Sequence, residues 1–231
     1  MPHPLVETVT YGAAYVRLLL SHLTSKRGRD MPRLKTHTDH VVLIIPGFLG
    51  PRSVVRPLEW RFDRAGIPAF SFNLGLSSVL PIRAIVRLLR RRINWVRDRY
   101  PYVRRVDIVA HSMGGLIAIE AIRTGVFDGF EIRLVTLGSP FAGTWAALMA
   151  GVLPGAAEML PLHPRFWRGP RNDAALPDIP FLSIAGDSDF LAPPERCRHP
   201  AAEYKRMPVD HAGLIFRKQV FQEALSFLAR P

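Results

Sequence analysis

Residues 106–117, VDIVAHSMGGLI, constrain the fold more than any other part of the chain. An apolar run precedes Ser112 and helix-forming residues follow it, so the serine lies where a strand turns sharply into a helix. A hydroxyl raised above the end of a sheet in this way requires a strained backbone, and the residues two before and two after it must be almost free of side chain. Ala110 and Gly114 meet that requirement. The segment predicts a nucleophilic serine; the alternative is a buried serine in an ordinary strand-to-helix turn.

Apolar segments recur along the chain in the order expected for alternating strands and helices. The segment Val41–Ile45 is continuously apolar, as in a strand buried on both faces of a parallel sheet. Residues 82–97 repeat apolar side chains at helical spacing and carry arginines mostly elsewhere. The predicted strands are Val41–Ile45, Ile67–Phe72, Val106–Ala110, Ile132–Leu137, Phe181–Ala185 and Glu203–Met207, and the predicted helices are 54–65, 82–97, 113–123 and 214–229. This alternation predicts an α/β fold with a mostly parallel sheet of about six strands and helices on both faces.

The chain has 231 residues, 48% of them hydrophobic, which is enough for one domain with a full core. Residues 1–38 are predicted to form a helical extension packed on that core, because apolar side chains recur at helical spacing between Val9 and Leu23. The alternative is a helix lying in the plane of a membrane surface. Neither a secretory signal nor a membrane span is predicted, because Arg17 interrupts an apolar stretch that is already short.

Residues 141–180 break the alternation of strands and helices. The segment contains six prolines, which prevent one long helix, together with many large apolar side chains. Long insertions after a sheet strand are often functional. We therefore expect a short apolar cap over the site, the alternative being that these residues only complete the core.

The net charge is +12 and only four of the 31 basic residues are lysine. A basic surface attracts polyanions, but no nucleic-acid-binding motif accompanies it, so a peripheral contact with an anionic membrane surface is the expected partner rather than nucleic acid. Cys197 is the only cysteine, which excludes an internal disulfide and fits a reducing compartment. Cys197 and His199 alone do not make a metal site. The expected location is the cytoplasm, either free or associated with the membrane surface.

The segment Ala110–Gly114 resembles the G-x-S-x-G nucleophile elbow of the α/β hydrolases, with alanine in the first position as in small bacterial A-x-S-x-G lipases. A serine nucleophile needs a general base and an acid that orients it. The resemblance selects His211, in the terminal segment DHAGL, as the base. It selects Asp189, in GDSDFLAP, as the acid, with Asp187 as the rival and Glu195 as a weaker one. Ser112, Asp189 and His211 occur in the order expected of that fold.

Cleavage of an acyl group also requires two donors aimed at the oxyanion of the tetrahedral intermediate. The resemblance implies the backbone N–H groups of Met113 and Phe48, with Leu49 as the fallback for Phe48. The residues implied to surround the acyl group are Leu49, Phe141, Trp145, Phe190 and Leu214, each of which could equally belong to the core.

By resemblance the chain is a lipase or esterase that cleaves lipid or medium-chain acyl esters through an acyl-enzyme, without a cofactor or a metal. A thioesterase, an amidase or an acyltransferase on the same fold is the first alternative, because the same three residues form an acyl-enzyme in each. A non-catalytic membrane-surface protein that retains the scaffold is the second. The sequence does not indicate the oligomeric state.

Overall fold

The computed structural model describes residue 34 and residues 38–71, 74–164 and 176–230. Its centre is one six-stranded sheet in the order β2-β1-β3-β4-β5-β6, and all five strand pairings are parallel. The strands are β1 (His40–Ile45), β2 (Ala69–Ser71), β3 (Arg105–His111), β4 (Glu131–Leu137), β5 (Phe181–Gly186) and β6 (Glu203–Met207). The predicted sheet of about six strands is confirmed.

Helices cover both faces of the sheet, as predicted. They are α1 (Arg52–Arg64), α2 (Ile82–Arg99), α3 (Met113–Arg123), α4 (Pro154–Ala157), α5 (Gly213–Phe216) and α6 (Lys218–Leu228), with 3₁₀ helices at Gly75–Val79, Trp145–Ala150 and Pro194–Cys197. Alternate residues of β1 point to opposite faces: Leu43 packs with α2 and α3, whereas Ile44 packs with α1, α5 and α6. Two apolar layers on one sheet explain why β1 is apolar from Val41 to Ile45.

The predicted helix 214–229 is wrong in one detail, because it is interrupted at Arg217. That residue has extended backbone, with φ −73° and ψ 130°, and separates α5 from α6. The strand predicted from Ile67 begins later, at Ala69. The Ile67 N–H is used to bond Phe62 O at 3.0 Å, and Pro68 has no N–H to donate.

Several arginines donate to backbone carbonyls at the carboxyl ends of helices. Arg90 bonds the carbonyls of Thr124 and Gly125 after α3, and Arg105 and Arg133 both bond Leu228 O at the end of α6. Carbonyls in the last turn have no partner within their own helix, and a cation also complements the helix dipole there. Part of the arginine excess therefore serves the fold.

The segments outside the alternation are described only in part. Apart from Leu34 and Thr38, the predicted extension 1–38 lies outside the described residues. Of the predicted cap 141–180, residues 141–164 and 176–180 are described, and they follow the carboxyl end of β4. No helix among the described residues is long and apolar enough to cross a membrane.

Candidate active site

Ser112 lies between β3 and α3 with φ 54° and ψ −127°, a backbone conformation that residues other than glycine rarely adopt. The two glycines that follow allow the close approach this turn needs. A Cβ on Gly114 would lie 2.4 Å from Ile45 O, and a Cβ on Gly115 would lie 2.2 Å from Ser139 Oγ. The segment therefore forms a tight strand-to-helix turn that carries the serine at the carboxyl end of the sheet.

Asp189 and His211 form a short hydrogen bond, with His211 Nδ1 2.6 Å from Asp189 Oδ2, and both side chains are buried. Asp189 follows β5, and His211 follows β6. The second carboxylate oxygen, Oδ1, accepts the backbone N–H groups of Leu191 at 2.9 Å and Ala192 at 2.8 Å. These bonds fix the orientation of the carboxyl group and leave Oδ2 aimed at the imidazole.

The rival acid, Asp187, lies elsewhere. Its side chain is exposed and its Oδ1 pairs with Arg206 Nε at 2.6 Å on the surface. Of the two aspartates, the structure brings only Asp189 to the histidine.

The strand end that carries Ser112 lies next to this pair. The Ser112 N–H bonds Leu137 O at 2.9 Å, and the following residue, Gly138, has φ 58°. A Cβ on Gly138 would lie 2.9 Å from Asp189 Oδ2 and 3.2 Å from His211 Nδ1. Only glycine fits here, because a Cβ would collide with the acid and the base and because the positive φ disfavours any other residue. The sequence analysis missed this glycine, although its place in Leu137-Gly138-Ser139-Pro140 after a strand marked a turn.

His111, which precedes the serine, is fully buried against His211. The two ring centroids are 4.5 Å apart, and His111 Nε2 lies 3.3 Å from His211 O. Burial, and secondarily the charge of His211, holds the pKa of His111 well below its usual value. His111 is therefore neutral. Nothing in the sequence signals the contact of His111 with His211, 100 residues later in the chain.

The loop after β1 also lies close to the serine. A Cβ on Gly47 would lie 2.8 Å from Ser112 Cβ and 3.4 Å from its Oγ, so the backbone of this loop lies against the nucleophile. The N–H of Leu49, the fallback oxyanion donor, donates to Ser78 Oγ at 3.0 Å and is therefore already used.

The N–H groups of the two expected oxyanion donors have no acceptor in the structure described. Met113 is the first residue of α3, where an N–H has no acceptor within the helix. The Phe48 N–H has no acceptor among the described residues.

The residues expected around the acyl group lie in different environments. Leu49, Trp145 and Phe190 are exposed, and Phe141 packs edge-to-face on Phe181 and His199. Leu214 is fully buried, and its Cδ1 would lie 2.7 Å from a Cβ on Gly138. Leu214 therefore packs in the core next to the Asp189–His211 pair and offers no surface to a substrate.

Cys197 takes no part in the site. Its buried Sγ donates to Ala192 O at 3.3 Å, and burial raises the pKa of the thiol, which therefore stays protonated and unreactive. In the part of the chain that the structure describes, no three His, Cys, Asp or Glu side chains gather in a way that could hold a metal ion.

A serine after β3, an acid after β5 and a histidine after β6 of a parallel sheet define the class of α/β hydrolases. A model of the "Alpha/beta hydrolase family" matches residues 13–227, and the chain belongs to that family. The resemblance noted in the sequence is thereby confirmed.

Solved structures share this fold at low sequence identity. A lipase of Bacillus licheniformis in its mature form superposes with a TM-score of 0.65 at 15% identity, over 88% of this chain and 94% of that chain. An esterase of Pyrococcus furiosus gives 0.64 at 16% identity, over 84% and 82%. A putative non-heme bromoperoxidase of Mycobacterium tuberculosis H37Rv gives 0.66 at 17% identity, over 88% and 98%. At these identities the likeness shows the fold alone.

The sequence is also similar to the GPI inositol-deacylase of Candida albicans, at 26% identity over 168 residues. The match covers 67% of this chain and 37% of the yeast protein, so the chain spans little more than a third of that relative's length.

Proposed function

We propose that this protein is a serine hydrolase that cleaves carboxylic esters through an acyl-enzyme formed on Ser112. The observation that carries the proposal is the 2.6 Å bond between His211 and Asp189 beside the strand end that holds Ser112 in a strained turn. Strain of about 1–3 kcal/mol in a backbone conformation persists only where the surrounding structure imposes it, and it concentrates at functional sites.

The geometry assigns the steps to named atoms. His211 Nδ1 is occupied by Asp189, so Nε2 is the nitrogen that accepts the Ser112 hydroxyl proton as Oγ attacks the acyl carbon. The N–H groups of Phe48 and Met113 stabilise the oxyanion. His211 then protonates the departing alcohol, and a water molecule repeats the sequence to release the acid. No step requires a metal or a cofactor.

An apolar rim supports a lipid-like ester as the substrate. Eight of the eleven large hydrophobic side chains that are exposed among the described residues lie on segments at the carboxyl ends of the strands: Leu49, Leu80, Trp145, Leu148, Met149, Val152, Leu162 and Phe190. We refer to these eight residues as the apolar rim. Exposed apolar area concentrated on one side of a protein marks a surface that contacts an apolar partner.

Contacts between these segments make the rim continuous around the site. The Leu49 N–H bonds Ser78, and a Cβ on Gly155 of α4 would lie 2.7 Å from Ser78 O and 2.9 Å from Leu80 O. On the far side, Thr144 Oγ1 donates to Leu191 O at 2.6 Å, which joins the cap to the loop that carries Phe190. The rim therefore connects the β1 loop beside Ser112 with the loop that holds Asp189.

The charge pattern of residues 141–164, the first described part of the cap, agrees with this assignment. Between residues 141 and 164 the only charged side chain is Glu158, apart from the titratable His163, and Glu158 Oε1 accepts the Ile82 N–H at 3.1 Å. Val152 is 95% and Met149 78% exposed, so a substrate chain inside a cleft would not cover them, whereas a lipid surface would. The net charge of +12 favours an anionic surface, which is the peripheral membrane contact we propose.

The name of the Candida relative states removal of an acyl group from an inositol, which agrees with an acyl ester of a lipid as the substrate class.

Turnover of p-nitrophenyl esters of increasing chain length, compared with acyl-CoA and acyl anilides, tests the proposal. We expect ester hydrolysis that increases from acetate towards medium chains. A higher kcat/KM for the thioester or the anilide would replace the ester assignment with the corresponding alternative.

The double substitution Met149→Asp with Val152→Asp should lower binding to anionic lipid vesicles at least about tenfold, because each carboxylate would have to leave water at the contact. Hydrolysis of a soluble short-chain ester should stay within about twofold. Co-sedimentation of the protein with anionic lipid vesicles measures the binding. The control is Trp60→Asp, which alters an exposed apolar side chain in the last turns of α1, near the amino ends of the strands. Equal loss in the control, or no loss in the double variant, would contradict a role for the apolar rim.

A further inference from the structure

We propose that His111 is a positioning residue that holds the loop carrying His211, through a hydrogen bond from its ring to the His211 backbone and contact between the two rings. The inference rests on the proposed function of His211 as the general base. It adds a fourth side chain to the machinery, one that contacts neither the substrate nor the reacting atoms.

The backbone around His211 leaves one carbonyl for His111 to bind. The N–H groups of the following helix bond the carbonyls on either side: Leu214 N bonds Asp210 O at 3.2 Å and Ile215 N bonds Ala212 O at 2.9 Å. Among the described backbone groups, none donates to His211 O. His111 Nε2, 3.3 Å away, supplies the donor.

That contact fixes the tautomer of His111. A carbonyl oxygen can only accept, so Nε2 carries the proton. A buried carbonyl without a donor would cost free energy, so the loop position that satisfies His211 O is favoured over others. The same loop position presents the His211 ring to Asp189.

The neutrality of His111 suits this role. His211 becomes an imidazolium during the reaction, and a second positive charge on a ring 4.5 Å away would oppose that step. His111 is 1% exposed, at the end of β3, and His211 is the titratable group whose charge acts on it. The neutral His111 ring packs against His211 and donates one hydrogen bond without that repulsion.

Two substitutions separate the hydrogen bond from the ring. His111→Phe keeps a ring but removes the donor, and we expect kcat for an ester to fall about 10- to 100-fold, with KM within about twofold, because a base misplaced by a fraction of an ångström loses catalytic efficiency. His111→Gln keeps an N–H donor without the ring and should restore kcat to within about threefold of the native enzyme. A core defect without a positioning role would not give this pattern.

Full kcat in His111→Phe, or an equal loss of kcat in His111→Gln, would overturn the proposal. Because either variant could fold poorly, nitrogen-15 NMR of the native protein labelled at histidine gives a separate test. We expect His111 in the neutral form with the proton on Nε2, and a proton on Nδ1 would overturn the proposal equally. Labelling of native Ser112 by a fluorophosphonate distinguishes the two failures: without labelling the proposed function fails, and with labelling only the role of His111 is at issue.

Discussion

Replacement of Ser112 by alanine should lower kcat for a p-nitrophenyl ester by about 10⁵- to 10⁶-fold, leaving only the background that oxyanion donors and substrate binding provide. The reason is chemical: alanine has no oxygen to form the acyl-enzyme, and no neighbouring group can take its place in the strained turn. Steady-state kinetics with enzyme purified from a host free of contaminating esterase measures the change. The midpoint temperature of thermal unfolding should be unchanged or slightly higher, since the strained turn no longer carries a polar side chain.

The matched control is Ser139→Ala. Ser139 is buried near the same strand ends, and its Oγ has no hydrogen-bond partner among the described residues, so its loss should change kcat by less than about threefold. Comparable inactivation of both variants would mean that the strand ends, rather than the Ser112 hydroxyl, determine activity.

Replacement of Asp189 by asparagine should lower kcat by about 10⁴-fold with little change in KM. The amide can donate to His211 Nδ1, which favours the imidazole tautomer with its proton on Nε2, the nitrogen that must accept the serine proton. The imidazolium also loses its counter-charge. Asparagine is close in size, and its side-chain oxygen can still accept the N–H groups of Leu191 and Ala192, so the fold should persist.

Asp187→Asn is the control for this prediction. The two aspartates are two residues apart, and the Asp187 side chain pairs with Arg206 on the surface, so its loss should leave kcat within about twofold. Strong inactivation by Asp187→Asn together with mild inactivation by Asp189→Asn would reverse the assignment of the acid.

The architecture could be predicted because parallel strands buried on both faces leave a strong signal. Val41–Ile45 and Phe181–Ala185 are short, largely apolar and followed by proline or glycine, and their positions were nearly correct. The turn at Ser112 was also predictable, since the small residues it requires occur at fixed offsets. Sequence patterns were therefore enough to predict the elements whose conformation is determined by neighbouring residues.

Features that depend on tertiary contacts were not predictable. The interruption at Arg217 separates two helices that pack on the same layer, and residues 214–220 contain no glycine or proline that would mark it in the sequence. The role of Gly138 depends on two side chains more than fifty residues later in the chain, and the contact of His111 joins residues 100 positions apart. Leu214 shows the same limit: an apolar residue beside the base could line a pocket or support it, and only its burial distinguishes the two.

The most direct test of the central claim is labelling with a fluorophosphonate followed by peptide mapping. Trypsin releases residues 106–123 as one peptide in which Ser112 is the only hydroxyl-bearing residue. We predict stoichiometric modification of that peptide in the native enzyme, parallel loss of ester hydrolysis, and very slow labelling in Asp189→Asn. Modification confined to another peptide, or full ester hydrolysis by a protein that the reagent does not label, would contradict the account.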